Sequence, residues 1–193
     1  PTNTLIHLES NTITSSIRHA LYIDTGSDVD TGSMLHMVNN TLISVAGYDA
    51  FQANMEGGVL VYESTNRAVS RWTVSFHTGM TDSLLNIEGS DLSLVNIAVT
   101  GSVTDSVVTI RDSIISGSVS ITTSGNVERS NFTFDGVTTS SSGIFSVTFV
   151  EMVDSSMLMT GSDFSSNGDW SLTGKISNSW VKLFRNVFAC PLF

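Results

Sequence analysis

The chain has 193 residues and a formal net charge of −10, from 18 Asp and Glu against 8 Lys and Arg. Only two of the cations are lysines, Lys175 and Lys182, which argues against nucleic acid as a partner, because such binding draws most of its affinity from Lys and Arg at phosphates. No apolar run approaches the ~20 residues that a membrane-spanning helix needs, and a 40% hydrophobic content over this length suits one domain with its own core.

Only 13% of residues are charged, while 32 are Ser and 22 are Thr, so the surface must be covered largely by hydroxyls and amides. That is β-rich, secreted-looking chemistry. Two prolines and apolar alternation throughout predict extended regular structure rather than a disordered stalk. Cys190 is the sole cysteine, so no internal disulfide forms. Pro1 and the end Cys190-Pro191-Leu192-Phe193 suggest a mature chain or a piece of a longer one. The expectation is one domain over residues 1–193, cut from a larger solenoid.

In chain order, short alternating runs bounded by Gly, Asn, Asp and Ser predict strands at 5–8, 20–23, 34–38, 58–62, 72–76 and 84–87. Further runs at 118–121, 144–150, 170–172 and 180–184 continue the series. No window sustains the i, i+3, i+4, i+7 spacing of a long amphipathic helix. The fold is therefore expected to be all-β.

Between the two groups of strands lies a recurring ten-residue box. Its clearest copies are LSLVNIAVTG (92–101), VTIRDSIISG (108–117), VERSNFTFDG (127–136) and MVDSSMLMTG (152–161). The fifth place, held by Asn96, Asp112, Asn131 and Ser156, is predicted to be a corner whose side chain hydrogen-bonds the turning backbone. The eighth, held by Val99, Ile115, Phe134 and Met159, is predicted to stack in the interior. Gly101, Gly117, Gly136 and Gly161 at the tenth would permit positive φ at the next corner. A tandem unit of this size cannot bury its apolar face alone, so copies stack. A β-sandwich is the alternative, but its hairpins require no residue recurring at fixed places. The reading is a single-domain parallel β-helix with irregular coils.

Phe51-Gln52-Ala53-Asn54 followed by Gly57-Gly58-Val59-Leu60 resembles the paired F-x-x-N and G-G-apolar-apolar repeats of polymorphic outer-membrane and autotransporter-type adhesins. Phe164-Ser165-Ser166-Asn167 echoes the first half, and Gly168-Asp169-Trp170 departs from the second. The Val/Ser/Asn-rich boxes are also similar in texture to the pectin-lyase-like surface proteins of trypanosomatids, such as the dispersed gene family. Both resemblances imply a right-handed parallel β-helix, outside the cell or on its surface, used for display or adhesion. Its partners would be neighbouring coils, other copies, or a carbohydrate or host-surface ligand.

Three other chemistries compete. Asp24-Thr25-Gly26-Ser27, behind the apolar run Leu21-Tyr22-Ile23, resembles the active-site loop of aspartic proteases and would make Asp24 catalytic in a dimeric, retroviral-type enzyme. The tetrapeptide recurs as Asp30-Thr31-Gly32-Ser33, which ordinary turn chemistry also explains. Asp24, Asp28 and Asp30 would present hard oxygens to Ca²⁺, though Asn39 stands where an EF-hand would close with Glu; no other cofactor is expected. Thirdly, a β-helix of the pectin-lyase shape raises polysaccharide cleavage by a lyase or glycosidase, but Glu88, Asp91, Asp112, Glu128, Arg111 and Arg129 fall singly along the boxes. His7, His19, His36 and His77 show no ligand spacing. Asn39-Asn40-Thr41 and Asn131-Phe132-Thr133 are sequons that make Asn39 and Asn131 glycosylation candidates.

Overall fold

The structure, a computed structural model, describes residues 5–24, 33–44, 49–55, 60–64, 67–139, 143–164 and 170–188. Every regular element among them is a β-strand. Eight form one parallel sheet in chain order: Leu5–Glu9, Met34–Val38, Leu60–Ser64, Leu84–Glu88, Val107–Arg111, Asn131–Asp135, Ser156–Thr160 and Trp180–Phe184. Their first residues step by 29, 26, 24, 23, 24, 25 and 24 positions, so one coil is about 24 residues. After each such strand the chain turns into a second parallel sheet, first through short strands such as Ile114–Ile115 and Thr138–Thr139. Long strands follow: Asp49–Met55, Arg67–Phe76, Asp91–Val99, Val119–Thr123, Phe145–Val153 and Trp170–Ser177. Stacking of equivalent strands makes a β-solenoid.

Alternation along each strand decides which residues enter the core, because successive side chains leave opposite faces. In-register pairing then makes columns. Leu35, Val61, Leu85, Val108, Phe132 and Met157 form one, all buried, and Ile87, Ile110, Phe134 and Met159 a second. From the facing sheet come Phe51, Trp72, Val95, Val119 and Phe145, with Ala53, Val74, Ile97, Ile121 and Val147 beside them. Aromatic pairs lock the core in both directions: Phe51 and Trp72, on adjacent coils, lie 5.3 Å apart, and Phe134 and Phe145, on facing sheets of one coil, meet edge-on at 5.0 Å. A one-residue slip would turn a whole strand's apolar set outward, so the columns fix the register.

The corners repeat as strictly as the columns. The residue after each first-sheet strand is left-handed at Ser10, Asn39, Gly89, Asp112, Gly136, Gly161 and Arg185, with φ between 48° and 62°. Two positions before the strand, Asp82, Asp105, Arg129, Asp154 and Asn178 adopt φ of 46° to 49°. Only Gly takes this conformation without strain, and Asn and Asp tolerate it; Arg129 and Arg185 are therefore held there by their surroundings.

Beside each left-handed residue sits a ladder side chain. The Ser83 N–H donates to Ser106 Oγ (3.1 Å), Ser106 N–H to Ser130 Oγ (3.0 Å), Ser130 N–H to Ser155 Oγ (3.0 Å) and Ser155 N–H to Ser179 Oγ (2.9 Å). Each hydroxyl in turn donates to the carbonyl two residues back, as Ser130 does to Glu128 at 2.8 Å. At the opposite corner Ser90 N–H donates to Ser113 Oγ, Val137 N–H to Ser162 Oγ, and Ser162 N–H to Asn186 Oδ1. The Asn11 N–H likewise donates to Asn40 Oδ1. Val137 is the one described interruption in that second ladder, leaving Ser113 N–H without a side-chain acceptor from the next coil.

This architecture redraws the ten-residue box. Copies 127–136 and 152–161 are equivalent, since Val127 pairs with Met152, Asn131 with Ser156 and Phe134 with Met159. The copy at 108–117 runs from the first sheet into the second, and the copy at 92–101 lies mostly within one long second-sheet strand. Asp112 is at a corner, but Asn96 is mid-strand, and Asn131 and Ser156 open first-sheet strands. Val99, Ile115 and Phe134 are all buried, yet in three different columns. Gly101, Gly136 and Gly161 have positive φ, whereas Gly117 does not: a Cβ there would lie 2.6 Å from the Ser93 carbonyl, so close coil approach requires that glycine. The fifth, eighth and tenth places therefore do not form the three continuous ladders expected, because the box mixes two different corners.

Two substitutions separate core from ladder. Phe134→Ala, at a fully buried site, is expected to cost about 3–5 kcal/mol. Ser130→Ala removes little volume but leaves the buried Ser106 N–H without its acceptor, at about 1–3 kcal/mol. Both are measured by denaturant unfolding; a Ser130→Ala variant as stable as the parent would show that the ladder contributes nothing.

Candidate functional site

The outer side of the long second-sheet strands carries two uncharged ranks. In one rank stand Gln52, the buried Thr73, Asn96, Ser120, Ser146 and Ser171; in the next, Ser75, Ala98, Thr122, Thr148 and Thr173. Three successive coils thus present the same Ser-x-Thr pair: Ser120/Thr122, Ser146/Thr148 and Ser171/Thr173. Pleat geometry spaces the two ranks about 6.6 Å apart along a strand, and sheet geometry spaces the coils about 4.8 Å apart. Ser171 Oγ donates to Ser146 Oγ at 3.0 Å, which orients part of the array. Asn96, expected at a corner, belongs instead to this face.

Charged side chains stand in pairs, some at the corners and some, as with Arg71, Glu151 and Lys175, within the long second-sheet strands. Arg129 binds Asp105 through two hydrogen bonds of 2.7 Å and approaches Glu128 at 3.8 Å. Lys175 meets Glu151 at 3.0 Å. Arg71 pairs with the buried Asp49. Glu88 and Arg111 are register neighbours, with a 4.0 Å contact, and Asp135 follows in the same column. Arg111 closes one first-sheet strand, whereas Arg129 precedes the next at the opposite corner. The hydrogen bond from Arg129 holds the Asp105 carboxyl below its ordinary range, and hydrogen bonds from Ser177 and Lys175 do the same for Glu151.

The other sequence candidates are dispersed. Asp24 ends the strand Leu21–Asp24, and its backbone pairs with Asn54; Thr25 to Gly32, including Asp28, Asp30 and the second Asp-Thr-Gly, lie outside the described residues. Of the adhesin-like motif, Phe51–Asn54 lies in the strand Asp49–Met55, while 56–59 and 165–169 lie outside the described residues. Asn39 is an exposed corner residue donating to Ser10 Oγ at 3.3 Å. Asn131 is exposed at the head of its strand and accepts from Ser156 Oγ. Sequence reasoning missed the pairing of His7 and His36, whose Nδ1 atoms lie 3.2 Å apart on adjacent coils. It also missed a shallow hollow beside Arg18, His19, Tyr22 and Gln52. Among the described residues no group of three or more His, Cys, Asp or Glu is placed to hold a metal ion. Among the same residues no helix is long and apolar enough to cross a membrane.

The Asp105–Arg129 pair predicts a pH dependence. A carboxyl whose folded pKa is depressed contributes stability that is present above its unfolded pKa and lost as pH falls through the folded value. Asp105→Asn keeps a residue suited to the left-handed corner and is expected to be less stable than the parent at pH 7. The difference should begin to shrink as the pH falls below about 3.9, the unfolded Asp value, and be lost as the pH passes below the depressed folded value. Denaturant unfolding at pH 7 and at pH 2.5 measures it; an equal deficit at both would disprove an ionic origin. Comparison of the chain with family models, with curated proteins and with solved structures gave no match.

Proposed function

We propose that this chain is an extracellular, non-enzymatic module of a surface protein or fibre, structural and adhesive, with the Ser/Thr rows of its second sheet as the contact face. The observation that carries this reading is the repeated Ser-x-Thr pair on three stacked coils. A row of identical hydroxyls at constant spacing matches a partner that itself repeats, and the absence of charge from these rows suits a neutral one. A carbohydrate chain meets both conditions, because it offers hydroxyl donors and acceptors at regular intervals. The corner hydroxyls take no part in such contacts, since each already accepts from one coil and donates within its own. Glycans at Asn39 and Asn131 would project from the first sheet and its corner and leave the Ser/Thr rows bare.

The test is solid-phase binding to neutral and acidic polysaccharides. Thr122→Lys combined with Thr148→Lys should weaken binding to a neutral polysaccharide by about tenfold, the ratio that loss of roughly 1.4 kcal/mol produces. Thr109→Lys, on the outer face of the first sheet, should leave it unchanged. Equal binding by both variants would remove the contact face from this assignment. Release of reducing ends or unsaturated products, abolished by Arg111→Gln, would replace the adhesive reading with polysaccharide cleavage.

A further inference from the structure

We propose that His7 and His36 form a two-histidine site for a divalent transition-metal ion, held between adjacent coils with Glu9 as the supporting carboxylate. The site lies on the outer face of the first sheet, apart from the Ser/Thr rows, and does not rest on their role.

Strand pleating and parallel register bring the two rings together. Ile6 and Leu8 pack against the core from one strand, and Leu35 and Met37 are buried on the next, so His7 and His36 turn outward. They are register partners 29 residues apart in sequence. Their Nδ1 atoms face each other at 3.2 Å, with ring centroids 4.9 Å apart and planes inclined at 56°. Two imidazole nitrogens at this 3.2 Å separation, each about 2.05 Å from a common ion, subtend about 100° at it. That angle lies between square-planar and tetrahedral coordination, so small ring rotations admit the ion.

Glu9 selects the tautomer. Its Oε2 lies 3.4 Å from His7 Nε2, where it accepts the ring N–H and leaves the lone pair on Nδ1. A metal-ligating imidazole is held in this way by a carboxylate at its other nitrogen, which fixes the ring and raises its basicity. Without metal, His36 Nδ1 donates to that lone pair. On metal binding the His36 proton moves through solvent to Nε2, so both rings ligate in the neutral form and no net proton is lost.

The donor set selects the class of ion. Imidazole suits Cu²⁺, Ni²⁺ and Zn²⁺, with Cu²⁺ the tightest, whereas Ca²⁺ prefers oxygen ligands. The His7 and Glu9 side chains are 43% and 62% exposed, so the ion reaches the rings from solvent and water fills its remaining positions. His19 offers no equivalent, since its Nδ1 already accepts from the Asp49 N–H at 3.2 Å. One ligand from each coil means that the ion pins two coils together.

Titration with Cu²⁺ alone, in a Cys190→Ser background that removes the thiol, tests the site. One equivalent should bind per chain, with an electron paramagnetic resonance spectrum showing coupling to two nitrogens. Thr109 and Thr133 stand in the same outer rank, so His7→Thr and His36→Thr keep a residue suited to the strand, and circular dichroism should match the parent's. Each should weaken binding by at least about tenfold and abolish the two-nitrogen coupling, while His77→Thr changes neither. Glu9→Gln should retain the two-nitrogen spectrum and weaken binding about tenfold, the lower end of what loss of a supporting partner costs. Binding that survives in the His7→Thr/His36→Thr double variant, coupling to a single nitrogen in the parent, or displacement by excess Ca²⁺ would overturn the site. Polysaccharide binding by His36→Thr should equal the parent's, so this inference and the adhesive reading fail separately.

Discussion

The structure depends on one hydrogen-bonding problem, solved alike at every described corner but the one where Val137 stands. A coil that leaves its sheet to turn carries a backbone N–H into a buried place, and the next coil must supply an acceptor there, since an unmet buried donor is costly. Serine meets the need because its hydroxyl accepts from the coil below and donates to its own backbone. Asn40 and Asn186 meet it with an amide, Oδ1 accepting from the coil below while Nδ2 donates back to that coil's Leu8 and Met159 carbonyls. Apolar columns give the solenoid its driving force, but columns alone would tolerate sliding. The ladder residues pin each coil at both ends of its first-sheet strand.

The strands were legible from alternation, and Leu5–Glu9, Met34–Val38, Leu84–Glu88 and Trp180–Phe184 fall where the pattern placed them. The coil length was not legible, for a physical reason. Entry and exit corners adopt one solution, a left-handed residue followed by a ladder side chain, so Asp105-Ser106 and Asp112-Ser113 look alike while lying on opposite sides of Val107–Arg111. A repeat keyed to such pairs conflates half a coil with a whole one. The unit the structure defines is nine residues with the strand inside it, as in Asp82–Ser90, Asp154–Ser162 and Asn178–Asn186. It escapes notice because the left-handed place accepts Asp, Asn, Gly, Ser or Arg.

The candidate contact face was hidden differently. Ser120-Ile121-Thr122, Ser146-Val147-Thr148 and Ser171-Leu172-Thr173 are unremarkable in a chain with 54 Ser and Thr. Their meaning comes from register, which places them above one another while dozens of similar residues scatter over corners. Asn96 illustrates the point: the same side chain reads as a corner amide in sequence and as part of an outer rank in space.

All of the inter-coil hydrogen bonds, in both sheets and both ladders, run along the stacking direction. Tension applied along that direction meets them a coil at a time, so the solenoid opens like a zip from its end. Tension applied along the strands must shear a whole layer at once and is resisted by every bond in it. The hydroxyl rows lie across the coils, so a partner spread over several of them loads many layers together, the direction in which this molecule is strong.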